Sequence, residues 1–181
     1  TSSKLKVYFN SKKLDVNNFK KYISVYYPEE TLYYDETDRW QVGCLYIPDN
    51  GHRVISFVNG IATHHGGTHV NYVVDNIIKT LVNDYIKKKN KDIKLSPTIV
   101  KENLVFFINS IIDNPDFTSQ TKTILGTKPN KFGTTYTASN LFMKKLSKCG
   151  IVQQVIQLAK FKESAQLKKN DGRKQTRIRG I

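Results

Sequence analysis

A chain of 181 residues, of which 39% are hydrophobic and 24% charged, has the size and composition of one folded domain with a buried core. Its 29 Lys and Arg against 15 Asp and Glu give a formal net charge of +14, which indicates a polyanionic partner, either nucleic acid or an anionic membrane. No apolar run approaches the roughly 20 residues of a membrane span, so a membrane-spanning protein is not expected.

The N-terminus and the cysteines indicate the setting. The chain starts at Thr1 without an initiator Met or a signal-peptide core, so we interpret it as a piece of a longer protein. Cys44 and Cys149 are far apart in the sequence. We therefore predict a reduced intracellular compartment, in which both thiols are small buried apolar groups without a redox role.

The first third of the chain predicts strands joined by turns. Asn17 or Asn18 is expected to cap a short helix that Pro28 ends, and a polar turn is expected at 35–38. Strands are predicted at 6–9, 13–16, 32–34, 40–47 and 53–58. This succession predicts a largely antiparallel sheet.

The clearest predicted element is an amphipathic helix that crosses this sheet. Thr68 is the expected N-cap, and Gly66-Gly67 gives the turn its conformational freedom. Apolar residues recur at the helical spacing i, i+3, i+4 and i+7 at Val70, Val73, Val74, Ile77, Ile78, Leu81, Val82, Tyr85 and Ile86.

The elements after this helix complete the predicted fold. Pro97 stands at a plausible first helical position, and the apolar run 104–112 is predicted as a central strand rather than a buried helix. Strand, helix and strand together predict a right-handed crossover. A helix over 138–146 ends before Gly150, and a further helix from Ile151 becomes basic and is expected to project from the core.

A loop at 118–123 carries one Gln and one Lys among small hydroxyl residues. Gln120 offers an amide donor and Lys122 offers a mobile charge, so together they can bind an anion. On spacing alone, a solvated loop with an ordinary surface lysine is the better interpretation, because most lysines are exposed.

A family resemblance changes this interpretation. Gln120-Thr121-Lys122 resembles the QTK loop of the type IIA DNA topoisomerases, and the eukaryotic and large-DNA-virus branch fits better than the bacterial one. Further matches follow in family order over nearly the whole chain, at 39–42, 56–63, 66–70, 132–134 and 177–181.

The resemblance implies an α+β fold like the second domain of ribosomal protein S5, mostly antiparallel sheet backed by helices. It divides the chain into a transducer core, 1–150, and a long basic C-terminal helix and linker, 151–181, that leads towards a DNA-cleavage core after Ile181. It makes Gln120 and Lys122 the ATP-binding residues, with Lys122 as the catalytic one, in an ATP-hydrolysing type II topoisomerase.

The resemblance also implies the cofactors and partners. ATP and Mg²⁺ would be held mainly by a preceding GHKL ATPase domain, so the 181 residues alone are not expected to be active. The other implied partners are duplex DNA and a second copy in a homodimer, without a membrane. The implied compartment is the nucleus, or the host cytoplasm or virion if the protein is viral.

The densest basic cluster follows the predicted helix and has two open interpretations. It comprises Lys87, Lys88, Lys89 and Lys91. In the first interpretation these lysines solubilise the C-terminal end of a helix, where the helix dipole favours cations. In the second they contact DNA phosphates without reading bases. A similar Lys-rich loop occurs at this place in eukaryotic topoisomerase II, which is consistent with the second interpretation.

Two other candidate sites, a zinc site at the histidines and a base-stacking site at Trp40, are less plausible than structural roles. His64, His65 and His69 lack the further ligands that a zinc site needs, so no metal site is predicted, and His69 is expected to be packed or hydrogen-bonded. Trp40, the only Trp, is expected in the core rather than stacked on a base.

Two alternatives to the topoisomerase hypothesis stay open. One is a stand-alone nucleic-acid-binding domain of S5-like fold, which the charge also suits. The other is a mismatch-repair or chaperone member of the same ATPase superfamily. The chain has no P-loop and no carboxylate cluster for magnesium, so it is not expected to hydrolyse ATP by itself.

Overall fold

The computed structural model describes residues 6–48, 51–88 and 95–171. The fold is α+β, as predicted. The strands of the described residues are β1 (Val7–Phe9), β2 (Lys12–Leu14), β3 (Tyr33–Glu36), β4 (Trp40–Tyr46), β5 (Arg53–Val58), β6 (Ile61–Ala62) and β7 (Leu104–Ser110). The α-helices are α1 (Phe19–Tyr26), α2 (Thr68–Thr80), α3 (Pro97–Lys101), α4 (Asn140–Leu146) and α5 (Ile151–Asp171).

The main sheet has the strand order β3-β4-β7-β5-β6, and a separate hairpin pairs β1 with β2. Three neighbouring pairs of the main sheet are antiparallel, and β5 with β7 is parallel. The largely antiparallel sheet is therefore confirmed, in mixed form. The chain crosses from β5 to its parallel neighbour β7 through the helical segment between them, as the strand–helix–strand pattern predicts.

The central position of β7 explains why its sequence is apolar on both faces. Phe106 and Ile108 point into a large core that includes the apolar stripe of α2. Val105 and Phe107 point into a smaller core beneath α1. The prediction of a central strand rather than a buried helix is confirmed.

Local signals explain several helix ends. Asn18 caps α1 by accepting a hydrogen bond from the Lys21 N–H at 2.9 Å, and Ser96 caps α3 just before Pro97. The predicted helix from 68 to 86 continues past Thr80 as π-helical turns, Leu81–Lys87. At the junction, Thr80 Oγ1 donates to the Asn76 carbonyl at 2.9 Å, a type of bond that bends helices.

Two local predictions are wrong because tertiary contacts override them. Thr68 is not the N-cap of α2 but its first residue, and Gly67 takes the cap position without a side-chain bond. The turn predicted at 35–38 begins too early, since Asp35 is a buried residue of β3. Its carboxylate accepts hydrogen bonds from Tyr136 Oη at 3.1 Å and the Ser139 N–H at 3.0 Å, which hold it in the strand.

The burial of the two cysteines and of α5 can also be compared with the predictions. Cys44 is buried as predicted, whereas Cys149 is only half-buried because it lies in the turn before α5. Among the α5 residues whose burial is described, the last buried one is Ala159, and Lys160 and Lys162 are exposed. None of the helices in the described ranges combines the length and apolar character that crossing a membrane requires. The remainder of the predicted helix and linker, 172–181, lies outside the described residues.

Candidate functional site

The segment 118–124 forms a short closed loop at the surface. The Thr118 N–H donates to the Ile124 carbonyl at 3.1 Å and closes its base. At the tip, the Lys122 N–H donates to the Ser119 carbonyl at 3.0 Å, and the hydroxyls of Ser119 and Thr121 lie 2.7 Å apart. The loop therefore has a defined shape of its own.

Lys122 and Gln120 are exposed at this tip, and neither side chain has a hydrogen bond or an ion pair with any residue the structure describes. Lys122 also has a left-handed backbone conformation, with φ of 55°. Such a conformation costs a non-glycine residue about 1–2 kcal/mol. The other described non-glycine residues with positive φ are Asn or Ser, namely Asn10, Ser11, Asn59 and Asn114. A lysine in this group is an outlier, and such outliers concentrate at functional sites.

The stem of the loop consists of two legs, residues 116–117 and 125–127, and is bonded to the start of α2. Leu125 pairs with Phe117 across the stem and with Gly67 on its other side. The Leu125 N–H donates to the Gly66 carbonyl, and the Thr68 N–H donates to the Leu125 carbonyl, both at 3.1 Å. The loop and the first turn of α2 therefore form one hydrogen-bonded unit.

Gly67 permits this contact. Its backbone angles, φ of 132° and ψ of −163°, belong to a region that glycine alone occupies readily. A Cβ atom at this position would lie within 3 Å of the Leu125 backbone. The Gly66-Gly67 pair predicts a turn that enters a helix, and the structure shows that it also permits contact with the loop stem.

A buried polar network lies behind the helix start. His69 is fully buried, and its Nε2 lies 3.2 Å from Thr63 Oγ1, which in turn lies 2.6 Å from Ser56 Oγ. Burial lowers the pKa of His69 to about 4, so the imidazole is neutral at pH 7. This confirms the packed role predicted for His69. His64 and His65 are exposed, and the described residues contain no group of three or more His, Cys, Asp or Glu that could hold a metal ion.

The described part of the predicted basic cluster, Lys87 and Lys88, lies at the opposite end of the same helical segment. Lys87 and Lys88 are exposed, and Lys88 makes a 3.5 Å ion pair with Asp84, which is also exposed. Such surface pairs contribute about 0–1 kcal/mol and leave the lysine available. Lys89 and Lys91 lie outside the described residues. From Thr68 to Lys87 the helical segment is roughly 30 Å long, so the loop and the cluster are separate sites.

Trp40 belongs to the core, as predicted. It is fully buried, its Nε1 donates to Thr134 Oγ1 at 3.2 Å, and its ring lies 5.9 Å from the rings of Phe132 and Tyr136. Both aromatic residues follow the loop in the sequence. The chain that leaves the loop is therefore fixed to the centre of the domain.

A solved structure with the same fold defines the class of protein. The ATPase and transducer domains of DNA topoisomerase II from Balamuthia mandrillaris superpose with a TM-score of 0.82 and 35% sequence identity. The superposition covers 90% of this chain and 41% of that one. The class is thus the ATPase and transducer region of a type IIA topoisomerase.

Sequence comparisons give the family. The family model described as DNA gyrase B matches residues 5–175, and the chain belongs to that family. DNA topoisomerase 2 of Acanthamoeba polyphaga mimivirus is 43% identical over 175 residues, and that of Drosophila melanogaster is 40% identical over 191. These alignments cover 93% and 100% of this chain but only 14% and 13% of the two relatives. The resemblance found in the sequence is confirmed.

Two hydroxyl residues of the site were not recognised from the sequence in this role. Thr127 and Thr68 bond across the loop stem, and no sequence signal points to either contact, since small hydroxyl residues are common in loops. Arg39 belongs to the family match at 39–42. Its Nη1 lies 2.7 Å from Asp113 Oδ1, between the start of β4 and the segment that leads to the loop.

Proposed function

We propose that this chain is the transducer of an ATP-dependent type II DNA topoisomerase, which senses the γ-phosphate of ATP through Gln120 and Lys122 and couples hydrolysis to DNA strand passage. The observation that carries the proposal is that the Lys122 side chain is exposed and has no partner among the described residues. Its ammonium group is exposed and unpaired among the described residues, on a loop whose shape and base are fixed by hydrogen bonds.

The chemistry of these two side chains fits a terminal phosphate. Negative charge is redistributed over the oxygens as the bond to the β-phosphate breaks, and a cation fixed there stabilises the transition state more than the ground state. Lys122 supplies the charge, and Gln120 supplies a neutral amide donor that orients an oxygen. ATP and Mg²⁺ would be held mainly by the preceding GHKL ATPase domain, and these side chains would complete the site.

The structure suggests how a signal leaves the loop. The loop stem shares hydrogen bonds with the first turn of α2, and the π-helical turns that continue α2 pack against α5. Loss of the phosphate would release the tip, and the stem would pass the change to α2 and from there to α5. We propose that this path lets the domains rotate relative to each other.

The other assignments belong to the same proposal. Lys87 and Lys88, with Lys89 and Lys91 beyond them, would contact phosphates of duplex DNA from the far end of the helical segment. Residues 1–150 would form an S5-like transducer core, and residues 151–181 would lead to the DNA-cleavage core. The full enzyme would be an intracellular homodimer. Family membership makes this proposal preferable to the stand-alone, mismatch-repair and chaperone hypotheses.

The test replaces Lys122 with Ala in the full-length enzyme and measures ATP turnover and strand passage. Removing one preorganised charge from a reacting group commonly costs about 10²–10³-fold in rate. Gln120→Ala should act in the same direction with a smaller effect, because a neutral donor is weaker. Lys128→Ala removes an exposed lysine six residues away and is the matched control. Near-normal turnover in the Lys122 variant would contradict the proposal.

A further inference from the structure

We propose that Thr127 and Thr68 are positioning residues for Lys122, because their hydroxyls fix the two legs of the loop stem to each other and to α2. The inference rests on the proposed function of Lys122 and adds the residues that make its placement definite. Thr127 is buried and the Thr68 hydroxyl is already bonded to the Thr127 carbonyl, so each would act through the loop.

Thr127 joins the two legs. It is 7% exposed, and its Oγ1 accepts a hydrogen bond from the Asp116 N–H at 2.7 Å. In the opposite direction, the Asp116 carbonyl accepts from the N–H groups of Gly126 at 2.8 Å and Thr127 at 3.2 Å. Both polar groups of the Asp116 backbone are thus bonded to the other leg, and the N–H depends on one buried hydroxyl.

Thr68 joins the stem to the helix. Its Oγ1 donates to the Thr127 carbonyl at 2.6 Å, a short bond for a neutral hydroxyl donor. Its backbone N–H donates to the Leu125 carbonyl at 3.1 Å. Because Gly67 occupies the N-cap position, the Thr68 side chain does not cap the helix, and its hydroxyl is available to bond the loop. The bonds therefore run without a break from α2 through Thr68 and Thr127 to Asp116.

These bonds matter because the hydrogen bonds of the loop tip lie within the loop, so the stem sets where the tip stands relative to α2. Residues 118–122 are exposed, and the side chain of Lys122 has no hydrogen bond or ion pair among the described residues that would hold it in place. A catalytic group displaced by 1 Å loses on the order of 10²-fold in rate. A stem that can shift relative to α2 would therefore reduce turnover even with Lys122 intact.

The experiment measures kcat and KM for ATP hydrolysis in the full-length enzyme carrying Thr127→Val, Thr127→Ser or Thr68→Val. Both Val variants keep the size of the side chain and lose the hydroxyl. We expect kcat to fall about 10-fold in each, the equivalent of one lost hydrogen bond. KM should change less than about 2-fold, and Thr127→Ser should restore kcat because it keeps the hydroxyl. If Thr127→Val does not fold, Thr68→Val at the half-buried helix start provides the same test.

A double-mutant cycle separates positioning from general stability. In a Lys122→Ala background, Thr127→Val and Thr68→Val should cause no further loss of kcat, because there is no ammonium group left to position. A further loss of the same size in that background would overturn the inference. So would unchanged kcat in both Val variants while Lys122→Ala is impaired. Normal turnover in Lys122→Ala alone would instead refute the proposed function, so the two failures are distinguishable.

Discussion

Replacing Gly67 with Ala tests the contact between the loop stem and α2. The substitution adds one methyl group where the Leu125 backbone leaves no room for it. We expect a larger loss of stability than a glycine-to-alanine change normally causes. Gly60→Ala is the matched control, since Gly60 also has positive φ, 81°, but has nothing within 4 Å of an added Cβ.

The magnitude follows from two contributions. Both variants place Ala at a positive φ that L side chains rarely adopt, which costs about 1–3 kcal/mol. In Gly67→Ala the stem must also move away, which disrupts three backbone bonds, from His65 to Thr123, from Thr68 to Leu125 and from Leu125 to Gly66. At about 1 kcal/mol each, these bonds add about 3 kcal/mol. The expected cost is thus about 4–6 kcal/mol for Gly67→Ala and about 1–3 kcal/mol for Gly60→Ala.

Urea unfolding of the 181-residue chain measures the difference. Trp40 is the only Trp and is fully buried, so its fluorescence reports unfolding of the core. Far-UV circular dichroism gives a second probe that should show the same transition. Equal losses in the two variants would mean that the stem is not held against the helix start, and the path from the loop to α2 would then have no structural basis.

Three other outcomes are expected. Trp40→Ala should lower the free energy of unfolding by about 3–5 kcal/mol, and a variant that melts like the parent would reverse its core assignment. The pKa of folded His69, about 4, lies below the ordinary value of 6.5, so its contribution to stability is complete above pH 6.5 and is lost as pH falls towards 4. In His69→Gln, the free energy of unfolding should fall by about 3 kcal/mol less between pH 6.5 and pH 4 than in the parent. The same dependence of unfolding free energy on pH in both proteins would contradict the buried neutral state. The last variant replaces Lys87, Lys88, Lys89 and Lys91 with Ala. The slope of log binding affinity against log salt concentration should become shallower by about one unit for each lost phosphate contact. Unchanged DNA binding would mean that these lysines only solubilise a helix end.

The elements that could be predicted from the sequence are those in which each residue faces one environment. Strand β7 was predictable because its apolar residues face a covered layer on both sides of the sheet. Helix α2 was predictable because its stripe repeats at helical spacing. The spacing did not reveal the change to π-helical turns at Leu81, because the same residues stay buried through it.

The position of the loop depends on contacts between residues far apart in the chain, which no local sequence pattern encodes. Gly67 and Leu125 are far apart in the sequence, and their pairing decides where the loop lies. The hydroxyl of Thr127 is chemically like others in the same loop, and only the fold shows that it is buried against Asp116. Gln120 and Lys122 were identified through family resemblance, whereas their exposure and the left-handed Lys122 backbone came from the structure.

The most direct test of the central claim is whether the γ-phosphate covers Lys122. The full-length enzyme would be treated with an amine-acylating reagent alone, with ADP, or with a non-hydrolysable ATP analogue, and labelling at each lysine would be measured by mass spectrometry. We predict that Lys122 is protected by the analogue but not by ADP, while the exposed Lys128 reacts equally in all three states. Equal labelling of Lys122 in all three states would contradict its assignment as the sensor.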